Sequence, residues 1–485
     1  MRFTQASLGL ACATLATALP SQSGEPSCRF AQQYTQQQIL KDPSNFINDM
    51  LYWEGKFHQN NVSFNSNNGM SYDGTNIDWV TGERTVKHPF SAASKEVSSI
   101  PPIKSNFDQK AYLVSTKKSL QVMLYAHAIS GSAEAARFLS PRDPSAAPGI
   151  AASIMELKLQ SYLRFNETYP GFGGFLPWFT SSSQDLSPTW DWNNRVPGLD
   201  NGELLWAVYA FIQAAENTSN RSYIDLAKKW QTWMDYTKTT AAHIFYRGAG
   251  KVCAVVDLNQ TLPVHHPEQN YTCEGTDSYL DDPYEGELFT WWLQFFGGLP
   301  ESDIEALWEY KRAKLVSVDY HMGNVGPITV QKERVRTCNS VVTKVPGMFA
   351  SVNNVTDPST GDVVGYISNA GIPSISNQTV QELDVITPYS VFPTVFTEST
   401  RRDGTGVSAL LTWDSKVTTV NAILGGVTDL VRQKMKAENI YNTFVTRIES
   451  EYSRVFKNLK GEHVAFCLPQ ESVTDAGLVD FTTCN

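Results

Sequence analysis

The sequence predicts an all-α fold, a closed toroid of helical hairpins, on three observations. Apolar residues recur at helical spacing along most of the chain. One helix-forming segment is apolar on every side, whereas another carries a single apolar stripe. No linker, low-complexity run or charge block divides these segments into separate units.

In chain order, helical periodicity covers about 31–51, 108–130, 147–166, 201–216, 221–237, 283–297 and 301–316, the last opened by Pro300 with acidic residues in its first turn. Leu204, Leu205, Trp206, Val208, Tyr209, Phe211 and Ile212 leave no polar face, as an inner helix requires. Ile304, Leu307, Trp308 and Leu315 make one stripe, as an outer helix requires. Toward the C-terminus, Val420, Ile423, Leu424, Val427, Val431 and Met435 repeat at helical spacing. Ile440, Phe444, Val445, Ile448, Tyr452 and Val455 then do the same, so two short-looped helices form a hairpin. Alternating inner and outer helices suggest the (α/α)6 barrel, which needs twelve. The periodicity yields nine, and the shortfall falls at 317–411, which reads as loops and short β-like runs such as Val363 to Ile367.

With 485 residues, of which 41% are hydrophobic and 18% charged, the chain can bury a large core and is not disordered or fibrous. Its formal charge of -10 and the lack of a basic run remove the electrostatic basis for binding nucleic acid or an anionic membrane. Aromatic residues reach 12%, with 12 Trp and 20 Tyr.

Residues 1–18 read as a secretory signal peptide: Arg2, an apolar stretch from Leu8 to Leu15, then Ala16-Thr17-Ala18, with cleavage expected between 18 and 24. Residues 24–485 then form a single secreted domain, with neither a later membrane span nor a lipid-anchor signal. The mature chain keeps Cys28, Cys253, Cys273, Cys338, Cys467 and Cys484, an even set suited to an oxidising compartment. Cys253 and Cys273 bracket one loop and are the candidate pair. Without a CxxC pair or HExxH, and with scattered histidines, structural disulfides outweigh zinc, and no metal or other cofactor is expected. His265 and His266 read as exposed loop residues. Asn-X-Ser/Thr sequons begin at Asn61, Asn166, Asn217, Asn220, Asn259, Asn270, Asn354 and Asn377, which marks these as candidate glycosylation sites in accessible loops.

Hydrolysis of a glycosidic bond needs one protonated carboxyl for the leaving oxygen and one ionised carboxyl to drive water onto the anomeric carbon. Three acidic turns meet helix starts. In Asp281-Asp282-Pro283-Tyr284-Glu285-Gly286-Glu287, before Leu288-Phe289-Thr290-Trp291-Trp292, Asp281 and Asp282 read as helix caps and Glu285 as a functional acid. In Pro197-Gly198-Leu199-Asp200-Asn201-Gly202-Glu203, Asp200 suits both an N-cap and a sugar ligand. In Leu411-Thr412-Trp413-Asp414-Ser415-Lys416, helix-start chemistry alone leaves Asp414 open as N-cap or base. The apolar faces of sugars stack on aromatic rings, and the glycine-rich run 171–179 with Trp190-Asp191-Trp192 places Trp178, Trp190 and Trp192 in loops as binding candidates. Trp291, Trp292 and Trp308, at helical positions, are assigned to packing.

At these residues the chain resembles the fungal secreted endo-β-1,2-glucanases, glycoside hydrolase family 162, and more distantly the glucoamylase-like domain. The likeness runs through Tyr52-Trp53-Glu54-Gly55, Met70-Ser71-Tyr72-Asp73-Gly74, Leu199-Asp200-Asn201-Gly202, Tyr284-Glu285-Gly286-Glu287 and Trp413-Asp414-Ser415-Lys416. It implies an (α/α)6 barrel that hydrolyses the polysaccharide β-1,2-glucan to sophoro-oligosaccharides with inversion. It further implies Glu285 as general acid acting through a substrate hydroxyl, Asp414 as general base acting through water, and Asp200 and Glu287 as cleft residues. Relative to the family as the resemblance presents it, the chain is shorter after Ile328-Thr329-Val330-Gln331-Lys332 and between Pro393-Thr394 and Glu398-Ser399-Thr400. Both places fall within 317–411. A glucan-binding homologue without catalysis and a barrel hydrolase of another glucan are the alternatives that this shortening leaves open.

Overall fold

The computed structural model describes residues 25–26, 30–72, 74–77, 84–88, 90–91, 120–182, 184–276, 278–280, 285–317, 350–356, 363–368, 391–392, 395–396, 399–401 and 410–455. The signal-peptide segment, Asp281, Asp282, Cys28, Cys338, Cys467, Cys484 and Asn377 lie outside them, as do the side chains of Glu285, Glu287, Asp414 and Asn354.

Among the described residues there are twelve α-helical segments. The first apolar stripe, 31–51, breaks in two, because Asp42 precedes Pro43 and adopts an extended backbone that a residue before proline prefers. Its parts are α1 (Gln36–Lys41), closed at the front by a Thr35–Gln38 capping box, and α2 (Ser44–Glu54). Next come α3 (Leu120–Ile129) and the short α4 (Ala133–Leu139), N-capped by Ser132 and too brief to show a periodic stripe. They are followed by α5 (Ala147–Thr168), α6 (Gly198–Glu216), α7 (Arg221–Phe245), α8 (Glu285–Phe296) and α9 (Glu301–Ser317). The stripe from Val420 to Met435 also breaks, at Gly425 and Gly426, both with positive φ, into α10 (Trp413–Leu424) and α11 (Thr428–Ala437). The last helix, α12 (Tyr441–Val455), packs on α11 as the expected hairpin. The three helices beyond the nine of the periodicity come from these two breaks and α4. Within 318–411 the described residues are strands, including Val363–Ser368 paired with Ala350–Thr356.

The layering is that of an (α/α)6 barrel. Helix α6 is buried almost throughout, from Asp200 to Ala215, and lies between α3, α7, α8 and α11. Helix α7 instead buries one stripe, Leu226, Trp230, Trp233, Met234, Thr237 and Ile244, as an outer helix does. Helices α10, α3, α6 and α8 pack side by side in that order to form the inner wall. Trp206, Trp291, Trp292 and Trp308 are buried among other rings, which bears out their assignment to packing. On the outside, Arg447 of α12 binds Glu305 of α9 at 2.6 Å.

A disulfide joins Cys253 to Cys273, with Cα atoms 5.1 Å apart. His265 and His266 are exposed. Asn61, Asn217, Asn220, Asn259 and Asn270 are exposed as well. Asn166 is not in a loop: it sits in the last turns of α5, half-buried, because the helix runs on to Thr168. Among the described residues no helix is long and apolar enough to cross a membrane.

Candidate active site

The strand Arg195–Pro197 runs straight into α6, and the Gly198 amide donates to the Ala254 carbonyl at 2.8 Å. Asp200 therefore stands in the first turn of α6, 5% exposed. Its neighbour Asn201, wholly interior, latches the aromatic loop to the helix: its Oδ1 accepts from the Leu176 amide at 3.0 Å, and its Nδ2 donates to the carbonyls of Leu176 and Pro197 at 2.9 and 2.7 Å. The loop can turn there because Gly173 and Gly174 take φ values of 61° and 91°.

So held, the loop delivers Trp178 to Asp200. The indole Nε1 donates to Asp200 Oδ2 at 3.1 Å, and Trp192 stacks on the Trp178 ring with centroids 5.3 Å apart and planes at 13°. Trp178, Trp192 and Asp200 thus form one cluster, both indoles half-buried. Trp190 is not part of that stack. It caps the turn between Thr189 and Trp192 and is 85% exposed, since the turn closed by the Trp192 amide on the Thr189 carbonyl points it outward.

Helix α8 carries the second carboxylate turn. A Cβ on Gly202 would lie 2.9 Å from the Phe289 amide nitrogen, so α6 and α8 touch backbone to side chain at this level. One turn further along, Trp206 meets Trp292, and beyond it Tyr209 meets Phe296. The contacts advance together, so the helices run parallel and their N-terminal ends lie at the same level. Glu285 begins α8, one turn before Phe289, and Asp200 stands just before Gly202. The start of α8 at Glu285 therefore lies level with the first turn of α6, which holds Asp200.

The third turn is built from residues far apart in sequence. Gly74 pairs with Thr412 in an antiparallel ladder, directly before α10. The Trp413 indole, fully buried, donates to the Ser63 carbonyl, which also accepts the Tyr72 amide. Three residues on, the Lys416 ammonium lies 2.9 Å from Glu54 Oε2, both side chains buried. Asp414 is the second residue of α10, between these two anchors. Three stretches quoted from the sequence, at 52–55, 70–74 and 413–416, thus converge on one helix start. The pairing of Glu54 with Lys416 has no sequence signal beyond their presence in those stretches.

Behind this corner, His58 is stacked on Phe64 and borders Trp413. A carbonyl can only accept, so its Nδ1 donates to the Leu139 carbonyl at 3.3 Å and its Nε2 accepts the Tyr125 hydroxyl at 3.1 Å. Burial holds this imidazole neutral, its pKa lowered to about 4. Among the described residues no cluster of three His, Cys, Asp or Glu side chains gathers to hold a metal.

The family model of endo-β-1,2-glucanase SGL, glycoside hydrolase family 162, matches residues 70–111, 103–333, 332–398 and 395–485. The chain belongs to this family. It is 68% identical to the solved endo-β-1,2-glucanase of Talaromyces funiculosus in complex with sophorose, over 95% of this chain and 100% of that one, with a TM-score of 0.81. A Glu→Gln mutant of the Talaromyces enzyme with β-1,2-glucan bound is equally similar, at 68% identity, the same coverage and the same TM-score. A search of curated proteins finds no match. In this endo-β-1,2-glucanase family member, the acidic turns opening α6 and α8, with the tryptophan pair beside Asp200, have the residue types that a glycoside hydrolase requires.

Proposed function

We propose that this chain cleaves internal linkages of linear β-1,2-glucan with inversion, releasing sophoro-oligosaccharides outside the cell. The observation that carries the reading is the parallel register of α6 and α8, which sets the Glu285 turn beside the Trp178–Asp200 cluster. The Talaromyces structures support it: an enzyme of 68% identity is seen with sophorose, and its Glu→Gln mutant with β-1,2-glucan.

In this reading the glucan lies along the barrel mouth, with sugar faces on Trp178 and Trp192 and hydroxyls directed to Asp200 and Glu287. Trp190 extends the aromatic surface outward. Protonated Glu285 gives its proton to a substrate hydroxyl, which passes its own to the glycosidic oxygen as the C–O bond breaks. Ionised Asp414 removes a proton, through a second water, from the water that attacks the anomeric carbon on the opposite face. The new hydroxyl is inverted, Glu285 is left ionised and Asp414 protonated, and exchange with solvent resets both. The carboxyl groups of an inverting pair stand roughly 6.5–9.5 Å apart, or farther when relayed.

Glu285→Gln and Asp414→Asn should each abolish release of reducing ends from β-1,2-glucan while leaving the circular dichroism spectrum unchanged. Wild-type activity in either variant overturns that residue's role. A panel of β-1,2-, β-1,3- and α-1,4-glucans checks the linkage. For export, the N-terminal apolar segment, the even cysteine set and the exposed sequons are the support. Sequencing the protein from culture medium should give an N-terminus between residues 19 and 24; intracellular retention with Met1 in place overturns it.

A further inference from the structure

We infer that the buried Glu54–Lys416 ion pair is a positioning device for the base of the reaction, an inference that rests on Asp414 having that role. Burying two charges is unfavourable unless the pair does more than a packed apolar contact would, because the desolvation cost offsets most of the attraction. Here Glu54 ends α2, Lys416 lies in the first turn of α10, and their charged atoms stand 2.9 Å apart with side chains 2% and 0% exposed.

The geometry ties the pair to position 414. Trp413 and Lys416, three residues apart, share one face of α10, and Val420, also fully buried, continues it. That face packs onto the end of α2, the turn at 55–57 and the 60–72 loop through the ion pair, the Trp413–Phe57 contact and the Trp413–Ser63 hydrogen bond. A residue two before Lys416 falls on the far side of the helix by the 3.6-residue period, so position 414 lies off the anchored face. The near end of α2 is itself held close. A Cβ on Gly55 would clash with the Phe138 carbonyl oxygen, so the end of α2 lies backbone to backbone against α4 and cannot move further toward it. Two rigid anchors therefore flank Asp414 on both sides in sequence, and the ion pair is the directional one. A misplacement of about 1 Å of a catalytic group costs roughly 100-fold in rate, so loosening this turn should act on turnover rather than on substrate capture.

The test is steady-state kinetics on β-1,2-glucan with the double variant Glu54→Gln/Lys416→Met, which removes both charges at similar volume and so leaves neither partner buried alone. In the folded double variant kcat should fall about 100-fold with KM within about threefold of wild type, while Lys416→Arg, which keeps the pair, should stay within about tenfold in kcat. A kcat within threefold of wild type, or a KM that rises as much as kcat falls, overturns the inference. Should the double variant not fold, Glu54→Asp, which keeps the charge but shortens its reach by one methylene, is held to the same criterion with an expected loss of about tenfold in kcat. Asp414→Asn is measured in parallel. If it is inactive while the folded pair variants turn over normally, the positioning role alone is wrong; if it turns over normally, the base assignment is wrong and the inference falls with it.

Discussion

The indole of Trp178 donates its proton to Asp200 at 3.1 Å while its ring is covered on one side by Trp192. One aromatic surface is thereby fixed in orientation by an acidic residue at a helix start. Trp178→Phe, which keeps a ring but removes the donor, should raise KM for β-1,2-glucan. A stacking contact of about 1 kcal/mol corresponds to roughly fivefold in KM for Trp192→Ala, with kcat little changed. Equal losses in kcat and kcat/KM would place these rings at the transition state instead.

Gly202 sets the distance between the helices that carry Asp200 and Glu285. A Cβ there would meet the Phe289 amide at 2.9 Å and its Cβ at 3.0 Å, backbone-level contacts that cannot swing away. Gly202→Ala should push α8 outward, with a stability loss of about 1–3 kcal/mol by overpacking and a fall in kcat larger than that in thermally matched controls. Chemical denaturation and kcat on the same preparation check it.

Acid should unfold this protein in part through His58. Its folded-state pKa is depressed to about 4 by burial, against an ordinary value near 6.5, so the unfolded chain binds the proton first as pH falls. The stability contributed by the neutral ring is complete above about pH 6.5. It is lost between there and about pH 4, to a total of about 3 kcal/mol. His127, whose Nε2 lies 2.9 Å from the Gly426 carbonyl, is shifted the same way by burial and adds to the slope. Urea midpoints at pH 7, 5.5 and 4.5 should fall in that order, and more shallowly in His58→Gln once its lower starting stability is subtracted.

The Cys253–Cys273 bridge closes a loop that braces the aromatic loop from behind. The Gly171 amide donates to the Gln260 carbonyl at 3.0 Å, and the Tyr271 hydroxyl to the Gly171 carbonyl at 2.8 Å. Replacing both cysteines by alanine should cost about 3 kcal/mol, the loop-closure value for a separation of 20 residues, and raise KM through the loosened Trp178. Reductive titration followed by thermal unfolding measures the first effect, and glucan kinetics the second.

Much of this was legible from the chain alone. The all-apolar run at Leu204–Ile212 is an inner helix and the two C-terminal stripes are a hairpin, because a helix repeats the polarity of its surroundings every 3.6 residues. The breaks at Pro43 and at Gly425–Gly426 were legible as residue types but were hidden by stripes that continue across them. Trp190 and Trp178 look alike as loop tryptophans of the aromatic stretch 171–192. Only the hydrogen bond to Asp200 and the ring of Trp192 separate the half-buried one from the exposed one.

By itself, then, the sequence determined which faces are apolar and which acidic residues stand near the starts of the long helices, since each of these is written within a few residues. Tertiary structure alone decided that α6 and α8 run parallel with their acidic turns level, and that Asn201 ties the aromatic loop to α6. It also decided that Glu54 meets Lys416 from the other end of the chain. Such pairings depend on how barrel helices close around a common core, and the free energy that selects them is spread over many packed side chains rather than carried by any local pattern.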